Sequence, residues 1–241
     1  LVQVARAAQN ALLMRLDVIS RLQVPASIED YLAGLSKSGR SGMRREHRRA
    51  QEAGVTFHRY RHDEEQLEAK IHRFADLTTQ SATRHGIPAL YDTASLLTMA
   101  RTPMAALLTA ESGGEVLAGT LAFVHDNVMV LWAAGVEQHG MEEHHAYTFL
   151  LHETIQSICG SAITVLDFGR GNVTFKQRRG FTATDQWTPV FVTAEALLSG
   201  VPVALSWGAH RFRVLGWAGP WPVNGRWWRR AKTNQKPLHR F

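Results

Sequence analysis

The stretch that decides the fold runs from residue 163 to residue 176 and reads ITVLDFGRGNVTFK. Its first four residues are β-branched or leucine, which predicts a buried strand ending near Asp167. A carboxylate, a guanidinium and an ammonium follow on Asp167, Arg170 and Lys176. Because open α/β sheets carry their binding sites at the carboxyl ends of strands, this pattern predicts a functional site at that end.

Two glycines, Gly169 and Gly171, flank Arg170. Glycine adopts backbone conformations closed to other residues and allows a ligand to approach the backbone closely. Arg170, as a bidentate donor, and Lys176, as a compact charge, suit phosphate or carboxylate. The same residues also suit a solvated strand end held by a structural ion pair between Asp167 and Arg170. Spacing alone leaves both interpretations open.

Two stretches of the chain carry a resemblance to a known family. Residues 167–181, DFGRGNVTFKQRRGF, resemble the signature near the end of the CelD-like (cellulose-biosynthesis-like) acetyltransferase domain, a GNAT-fold relative of the Fem-type aminoacyltransferases. Residues 24–60, VPASIEDYLAGLSKSGRSGMRREHRRAQEAGVTFHRY, resemble the upstream segment of the same family. The resemblance implies an α/β GNAT fold, with a mixed, mostly antiparallel sheet flanked by helices.

The hydrophobic periodicity predicts elements in an order that agrees with this fold. A strand is expected near residues 10–19, helices over 28–35 and up to Gly54, and a strand over 55–60. Asp63 is predicted to cap a helix that stops at Gly86, and Asp92 to cap a shorter one. Three apolar runs within residues 105–136, separated by tight turns, predict an antiparallel meander. A helix over 146–159, a short helix over 175–180 and a strand over 184–192 complete the order.

The resemblance also implies which residues act. The strand ending at Gly135 would diverge from the Asp167 strand and form the acyl-donor cleft, and the helix beginning at Ala146 would receive the donor's pyrophosphate at its N-terminus. Asp167, Arg170 and Lys176 are the candidate catalytic residues: the two cations would bind anionic groups, while Asp167 would orient Arg170 or take a proton from the amine. The candidate donor- and substrate-binding residues are Trp132, Gly135, His144, His145, Tyr147, Gly169, Gly171 and Phe175.

The donor stays open between acyl-CoA, such as acetyl-CoA, and aminoacyl-tRNA. The pyrophosphate fingerprint is incomplete, because residues 138–141 contain one glycine and His144-His145-Ala146 stands where relatives commonly have Ser-Pro-Gly. The expected acceptor is an amine on a small molecule or a cell-envelope precursor, and tRNA is a possible partner. The competing interpretation is a non-catalytic GNAT-like binding or assembly module, which would bind RNA through its basic tail.

Histidines and glutamates crowd the stretch between residues 139 and 153, which raises the question of a metal site. His152-Glu153-Thr154-Ile155-Gln156 departs from the zinc-protease HExxH pattern at its last ligand. The single cysteine, Cys159, excludes an internal disulfide and any CxxC pair. No metal site is therefore expected from the sequence.

The charge is uneven along the chain. The net charge is +6, and residues 186–241 hold eight basic residues and one acid, Glu195. Three regions are predicted: residues 1–54, with a basic helix, as a remnant of or linker from a preceding half-domain; 55–193 as the GNAT-like domain; and 194–241 as a basic, tryptophan-rich tail. The sequence begins at Leu1 rather than Met, so we expect a fragment that is incomplete as an enzyme. Since no signal peptide or membrane-spanning run is visible, a cytoplasmic location is expected by default.

Overall fold

A computed structural model describes residues 11–191 and 213–217 of the chain. The chain divides into two compact units, one spanning Val18–Asp185 and the other combining Leu1–Asp17 with Gln186–Phe241. In the second unit, the beginning of strand β1 (Ala11–Gln23) pairs antiparallel with strand β8 (Arg213–Trp217), Leu12 lying opposite Trp217. The predicted tryptophan-rich tail lies almost wholly outside the described residues. All site residues discussed below belong to the first unit.

The strands are β1 (Ala11–Gln23), β2 (Thr56–Arg61), β3 (Ala105–Ser112), β4 (Glu115–His125), β5 (Val128–Val136), β6 (Val165–Asp167), β7 (Thr182–Phe191) and β8 (Arg213–Trp217). The helices are α1 (Ile28–Gly34), α2 (Lys37–Glu52), α3 (Leu67–Arg84), α4 (Thr93–Ala100), α5 (Gln138–Glu142), α6 (Ala146–Ile158) and α7 (Val173–Gln177). Among the described helices, none combines the length and the apolar character needed to cross a bilayer.

The sheet is mixed, with the strand order β2-β3-β4-β5-β6-β1-β7. Strands β2 to β5 pair antiparallel in succession, as the predicted meander requires. Strand β6 pairs parallel with β5 and antiparallel with β1. The predicted α/β GNAT fold, with the meander beside the Asp167 strand, is therefore confirmed.

Helices cover both faces of the sheet. On one face α1, α2 and α6 contribute to a core that includes Tyr31, Met43, Phe149 and Leu166. On the other face α3 and α4 pack over a second core that includes Phe74 and Leu96. Since α1 and α2 share a core with the central strands, the boundary predicted between residues 54 and 55 runs through one compact unit.

Glycines let α3 lie directly on the sheet. A Cβ atom at Gly135 would lie 2.6 Å from the backbone nitrogen of Thr78 and 2.7 Å from the carbonyl carbon of Leu77. A Cβ at Gly119 would meet the ring of Phe74 at 2.8 Å. The missing side chain at Gly135 therefore makes room for α3, and its contact with the donor stays a prediction.

A buried carboxylate fixes the outer part of the second face. Glu111 is 2% exposed and accepts hydrogen bonds from Tyr60 Oη (2.9 Å), Thr109 Oγ1 (2.7 Å) and Lys70 Nζ (2.6 Å). Burial by itself would raise the pKa of Glu111, but these hydrogen bonds and the Lys70 charge outweigh burial and hold the pKa below its ordinary value. The ionised carboxylate therefore ties β2, β3 and α3 together.

Most helix ends follow the sequence. Asp92 caps α4 by accepting a hydrogen bond from the Ser95 amide at 2.7 Å, and Gly54 and Gly86 follow their helices at positive φ. The cap predicted at Asp63 is wrong, because α3 begins at Leu67 after Gln66 without a side-chain cap. The segment between β5 and α6, for which no element was predicted, contains the five-residue helix α5.

Candidate active site

The candidate site opens where β5 and β6 stop pairing. Their parallel register covers Val128–Val130 on β5 and Val165–Asp167 on β6, and β5 then continues alone to Val136. The residues after Asp167 instead bond to β1, since the Phe168 amide donates to the Ser20 carbonyl at 2.8 Å. In the described residues, this leaves the carboxyl half of β5 without a partner on the β6 side.

A bulge in β5 coincides with the end of this pairing. Leu121 of β4 lies opposite Ala133 and Ala122 opposite Leu131, so Trp132 is the extra residue. A bulge bends a strand and increases its twist, which turns β5 away from its neighbour. Trp132 is 55% exposed and packs edge-on against Phe123, which belongs to the α3–α4 side of the sheet. The structure therefore separates Trp132 from the site residues on the α6 side.

The turn after β6 uses three left-handed backbone positions. Gly169 has φ +62° and Gly171 has φ +76°, and Asn172 has φ +36°. The Asn172 side chain also caps α7 by accepting a hydrogen bond from the Phe175 amide at 3.3 Å. A Cβ at Gly171 would meet no described atom within 4 Å, so there is space on that side of the turn. Arg170, between the glycines, is exposed.

Asp167 is engaged on both carboxylate oxygens. Its Oδ2 accepts a hydrogen bond from Nε of Arg21 at 2.8 Å, and its Oδ1 accepts one from the Gly169 amide at 2.8 Å. Its ionic partner among the described residues is thus Arg21 of β1, which lies opposite it in the sheet, and not Arg170. This corrects the predicted orienting role. The geometry favours Asp167 as an anchor of the turn over Asp167 as a proton acceptor.

Lys176 faces inward and holds the same turn from below. Lys176 is 5% exposed, and its Nζ donates hydrogen bonds to the carbonyls of Phe168 (2.6 Å), Gly169 (3.1 Å) and Arg170 (2.6 Å). These three acceptors match the three N–H donors of an ammonium group. Lys176 was expected to bind anionic groups of the donor or acceptor, and its ammonium instead binds backbone carbonyls. It shapes the site through the backbone of the turn.

An aromatic cluster connects the turn to α6. The ring of Tyr147 stacks on Phe175 with centroids 5.9 Å apart and lies 6.3 Å from Phe168. Burial raises the pKa of Tyr147 to about 12, with the charge of Arg179 opposing the rise. The phenol is therefore protonated at neutral pH and is a hydrogen-bond donor. The structure thus brings two predicted residues, Tyr147 and Phe175, to the same place.

Arg179 is a central residue that the sequence interpretation missed. Its guanidinium lies over the Phe175 ring, with Cζ 3.9 Å from the ring centroid. Its Nη2 donates to Glu46 Oε2 on α2 at 2.9 Å and to Thr148 Oγ1 in the first turn of α6 at 3.1 Å. Arg179 could have been predicted as a site residue, because it lies within residues 167–181, the stretch that resembles the family signature. Arg21 gave no such signal, because its partner lies 146 residues away.

The N-terminus of α6 lies in the same region. His145 precedes the helix with φ +51°, a conformation uncommon for residues other than glycine, and its side chain does not cap the helix. The amides of Ala146, Tyr147 and Thr148 have no acceptor within the helix, because an α-helix leaves its first amides unpaired. Such a terminus favours an anion. His145 and Tyr147 are half-buried beside it.

His144 points elsewhere. Its ring packs edge-on against His139 of α5, with centroids 5.5 Å apart. His139 in turn contacts Glu143 at 3.2 Å, and both residues are exposed. The structure places His144 in this surface group, next to but outside the aromatic cluster.

Comparison with known proteins agrees with the fold. Residues 37–177 match the family described as "Acetyltransferase (GNAT) domain". No curated protein matches the sequence.

Among solved structures, FemX superposes with a TM-score of 0.61 at 11% identity, over 78% of this chain and 64% of FemX. The C-terminal domain of a protein from Agrobacterium fabrum, described as a lysylphosphatidylglycerol synthetase, gives 0.58 at 11% identity over 80% of this chain and 66% of that one. L-PGS from Bacillus licheniformis gives 0.56 at 12% identity over 79% and 65%. This chain thus spans less than two thirds of each, and at these identities the likeness shows the fold alone.

Proposed function

Since the chain belongs to the GNAT acetyltransferase-domain family, we propose that it is an N-acyltransferase that moves an acyl or aminoacyl group from an activated donor to an amine. One observation carries the proposal: the glycine turn lies beside both the unpaired half of β5 and the start of α6. A Cβ at Gly169 would be 3.8 Å from the Leu131 carbonyl of β5, just beyond the pairing with β6, and Phe168 and Phe175 contact Tyr147 in the first turn of α6. That arrangement offers backbone donors to a carbonyl and to a phosphate without requiring a nucleophilic side chain.

The donor combines an activated carbonyl with phosphate groups, which both acyl-CoA and aminoacyl-tRNA possess. We place the phosphate at the amides that begin α6, where the helix dipole favours negative charge. We place the acyl carbonyl against β5 beyond Val130, where strand amides without a β6 partner can stabilise an oxyanion. We propose acyl-CoA as the donor. Aminoacyl-tRNA, which the resemblance to Fem-type aminoacyltransferases implies, is the alternative donor and is tested in parallel.

The reaction is direct transfer. The amine nitrogen attacks the donor carbonyl carbon, a C–N bond forms, and the bond from that carbon to sulfur (or to the ribose oxygen of tRNA) breaks. The amine loses one proton and the leaving group takes one. Rate enhancement comes from alignment and from charge stabilisation at the carbonyl oxygen.

Two side chains are suited to the proton steps. His145 is half-buried at the start of α6, and imidazole is the side chain that ordinarily titrates nearest neutral pH, so we assign it the proton from the amine. Tyr147 carries its proton at neutral pH, with a pKa of about 12, so we assign it the proton that the leaving group takes. Asp167, Lys176 and Arg21 hold the turn, while Arg170, exposed on its rim, is assigned to anionic groups of donor or acceptor.

The test uses donor binding and donor turnover. Acetyl-CoA and an aminoacyl-tRNA are each titrated while the melting temperature is followed, because a ligand that binds the folded state raises it. Release of the CoA thiol is then measured with a panel of primary amines. Tyr147→Phe keeps the stacked ring and should lower kcat by on the order of tenfold or more with little change in donor affinity. Arg45→Ala, which removes an exposed charge on α2, is the matched control.

Stabilisation by neither donor, together with no turnover, would reject the enzyme and leave the non-catalytic binding module. Stabilisation by aminoacyl-tRNA but not by acetyl-CoA would keep acyl transfer and reverse the choice of donor. Equal kcat in Tyr147→Phe and the unmodified chain would remove Tyr147 from the proton steps.

A further inference from the structure

A second cluster of functional groups lies between α2 and α6, away from the opening. Nε2 of His47 on α2 is 2.5 Å from Oε1 of Glu153 on α6. Nδ1 of His152, the preceding residue on α6, is 3.3 Å from the same oxygen. The two imidazole rings lie 3.9 Å apart between centroids. Two nitrogens and one carboxylate oxygen therefore converge within 4.8 Å of one another.

The surroundings hold these groups in place. The exposed fractions of the side chains are 16% for His47, 7% for His152 and 20% for Glu153. The His47 ring also stacks on Phe149, with centroids 5.2 Å apart and planes 16° from parallel. The cluster begins six residues into α6, about 9 Å along the helix from Ala146. It is thus separate from the amides proposed to hold the donor.

This set of atoms matches the ligands of a zinc site. Zinc binds imidazole nitrogen and carboxylate oxygen at about 2.0–2.2 Å in a tetrahedral arrangement, so two of its ligand atoms lie about 3.3–3.5 Å apart. The separation between His152 and Glu153 already has that value, at 3.3 Å. The hydrogen-bonded pair of His47 and Glu153 would need to open by less than about 1 Å. Partial exposure leaves room for a water molecule as fourth ligand.

We propose that His47, His152 and Glu153 form a binding site for a divalent transition-metal ion, with Zn²⁺ as the best match, and that the ion fastens α2 to α6. The sequence alone did not predict this site, because His47 lies 106 residues from Glu153. In addition, residues 152–156 lack the second histidine of the HExxH pattern. The ligands come from two helices that the same core joins. A bound ion would therefore cross-link two elements of the domain.

Nearby positive charge limits the expected affinity. Arg44, Arg45, Arg48 and Arg49 of α2 are exposed, and Arg179 lies between Glu46 and Thr148 beside the cluster. These charges repel a cation, although solvent screens the exposed ones. Because a metal ion competes with protons for its ligands, the affinity is also expected to depend on pH. We therefore expect a micromolar site at pH 7.5, tighter than surface histidines provide.

The chain supplies its own comparison cluster. His139, Glu143 and His144 offer the same three groups within the same limit, but two of the three residues are exposed. Buried ligands are restrained by packing, whereas exposed ligands must be ordered by the ion. The proposal therefore requires that Zn²⁺ bind more tightly to His47, His152 and Glu153 than to the exposed cluster.

The experiment measures Zn²⁺ binding to the full chain by calorimetry at pH 7.5, after treatment with a chelator, and follows the melting temperature with added Zn²⁺. Co²⁺ is used as a spectroscopic probe, whose visible absorption reports nitrogen and oxygen coordination. Glu153→Gln keeps the size of the side chain and removes the anionic ligand, and His47→Ala removes a ligand from the other helix. His139→Ala is the matched control in the exposed cluster.

One ion should bind per chain, with a rise in melting temperature. Glu153→Gln and His47→Ala should each lower Zn²⁺ affinity by at least about tenfold, while His139→Ala leaves it unchanged. Should His47→Ala fail to fold, Glu153→Gln alone decides. The proposal is overturned if Glu153→Gln binds Zn²⁺ as tightly as the unmodified chain, if no ion binds at micromolar concentration, or if His139→Ala abolishes binding.

Discussion

Replacing Lys176 by methionine tests how the candidate site is built. The change keeps the length of the side chain but removes the ammonium that donates to three carbonyls of the turn after β6. Two of these contacts are 2.6 Å long and the third is 3.1 Å. Without the ammonium, the carbonyls of Phe168, Gly169 and Arg170 lose a common donor.

The magnitude follows from the burial of those contacts. A hydrogen bond to a charged group contributes about 1.5–3 kcal/mol, and the bond to Phe168 is buried and should lie at the upper end of that range. The other two bonds are half-buried and share the same charge, so they add less than their separate values. A loss of about 3 kcal/mol in the free energy of unfolding is expected, which lowers the melting temperature by about 6–12 °C for a protein of this size.

The assay compares Lys176→Met with Arg45→Ala by thermal unfolding without ligand, then by donor affinity. Arg45 is an exposed residue on α2, and its removal should shift the melting temperature by less than about 2 °C. If Lys176 acts through the turn, the unliganded Lys176→Met protein is already less stable. A Lys176→Met protein that melts like Arg45→Ala but has lost donor affinity would refute this reasoning, and would mean that the ammonium contacts the ligand directly.

Two further predictions concern the sheet. Gly135→Ala should destabilise the protein by about 1–3 kcal/mol, because its Cβ would meet the backbone of α3 at 2.6 Å. Gly34→Ala, whose Cβ would have nothing within 4 Å, should be neutral in thermal unfolding. Equal destabilisation by the two substitutions would contradict the packing of α3 on Gly135. Glu111→Gln should cost about 3 kcal/mol at pH 7, since it breaks a buried ion pair. Because its folded-state pKa is lowered, Glu111 stabilises the fold above the ordinary carboxyl pKa and loses this contribution as pH falls through the lowered value. Denaturant unfolding should therefore show that the difference in unfolding free energy between the unmodified chain and Glu111→Gln shrinks toward pH 3. Glu65→Gln, at an exposed residue, is the control. A difference that stays constant with pH would contradict the proposed ionisation.

The sequence predicted the meander well because its signals are local. Tight turns separate three apolar runs, and the observed strands β3, β4 and β5 fall within the predicted residues 105–136. The turn after Asp167 was also readable, since Gly169 and Gly171 do adopt the left-handed conformations that glycine permits. Both features, the meander and the glycine turn, are specified by residues close together in the sequence.

Directions of side chains were harder to predict. Alternation along a strand assigns Leu131 and Ala133 to one face, but the bulge at Trp132 places them in different cores. Lys176 was expected to bind anionic groups of the donor or acceptor, yet the carbonyls of a left-handed turn supply enough acceptors to bury it. The ion pair of Asp167 depends on a strand register that no local pattern encodes.

The same pairing of Arg21 with Asp167 has a consequence for the folding of the chain during synthesis. The two residues lie 146 positions apart, so β1 leaves the ribosome long before β6 exists. At about 5–20 residues per second, the carboxyl half of β1 waits roughly 7–30 s for this partner. During that interval α1, α2 and the meander can form from contacts of shorter range, whereas this part of β1 keeps an unpaired edge. Closure of the sheet at β6 is therefore a late step, and it assembles the candidate active site at the same moment.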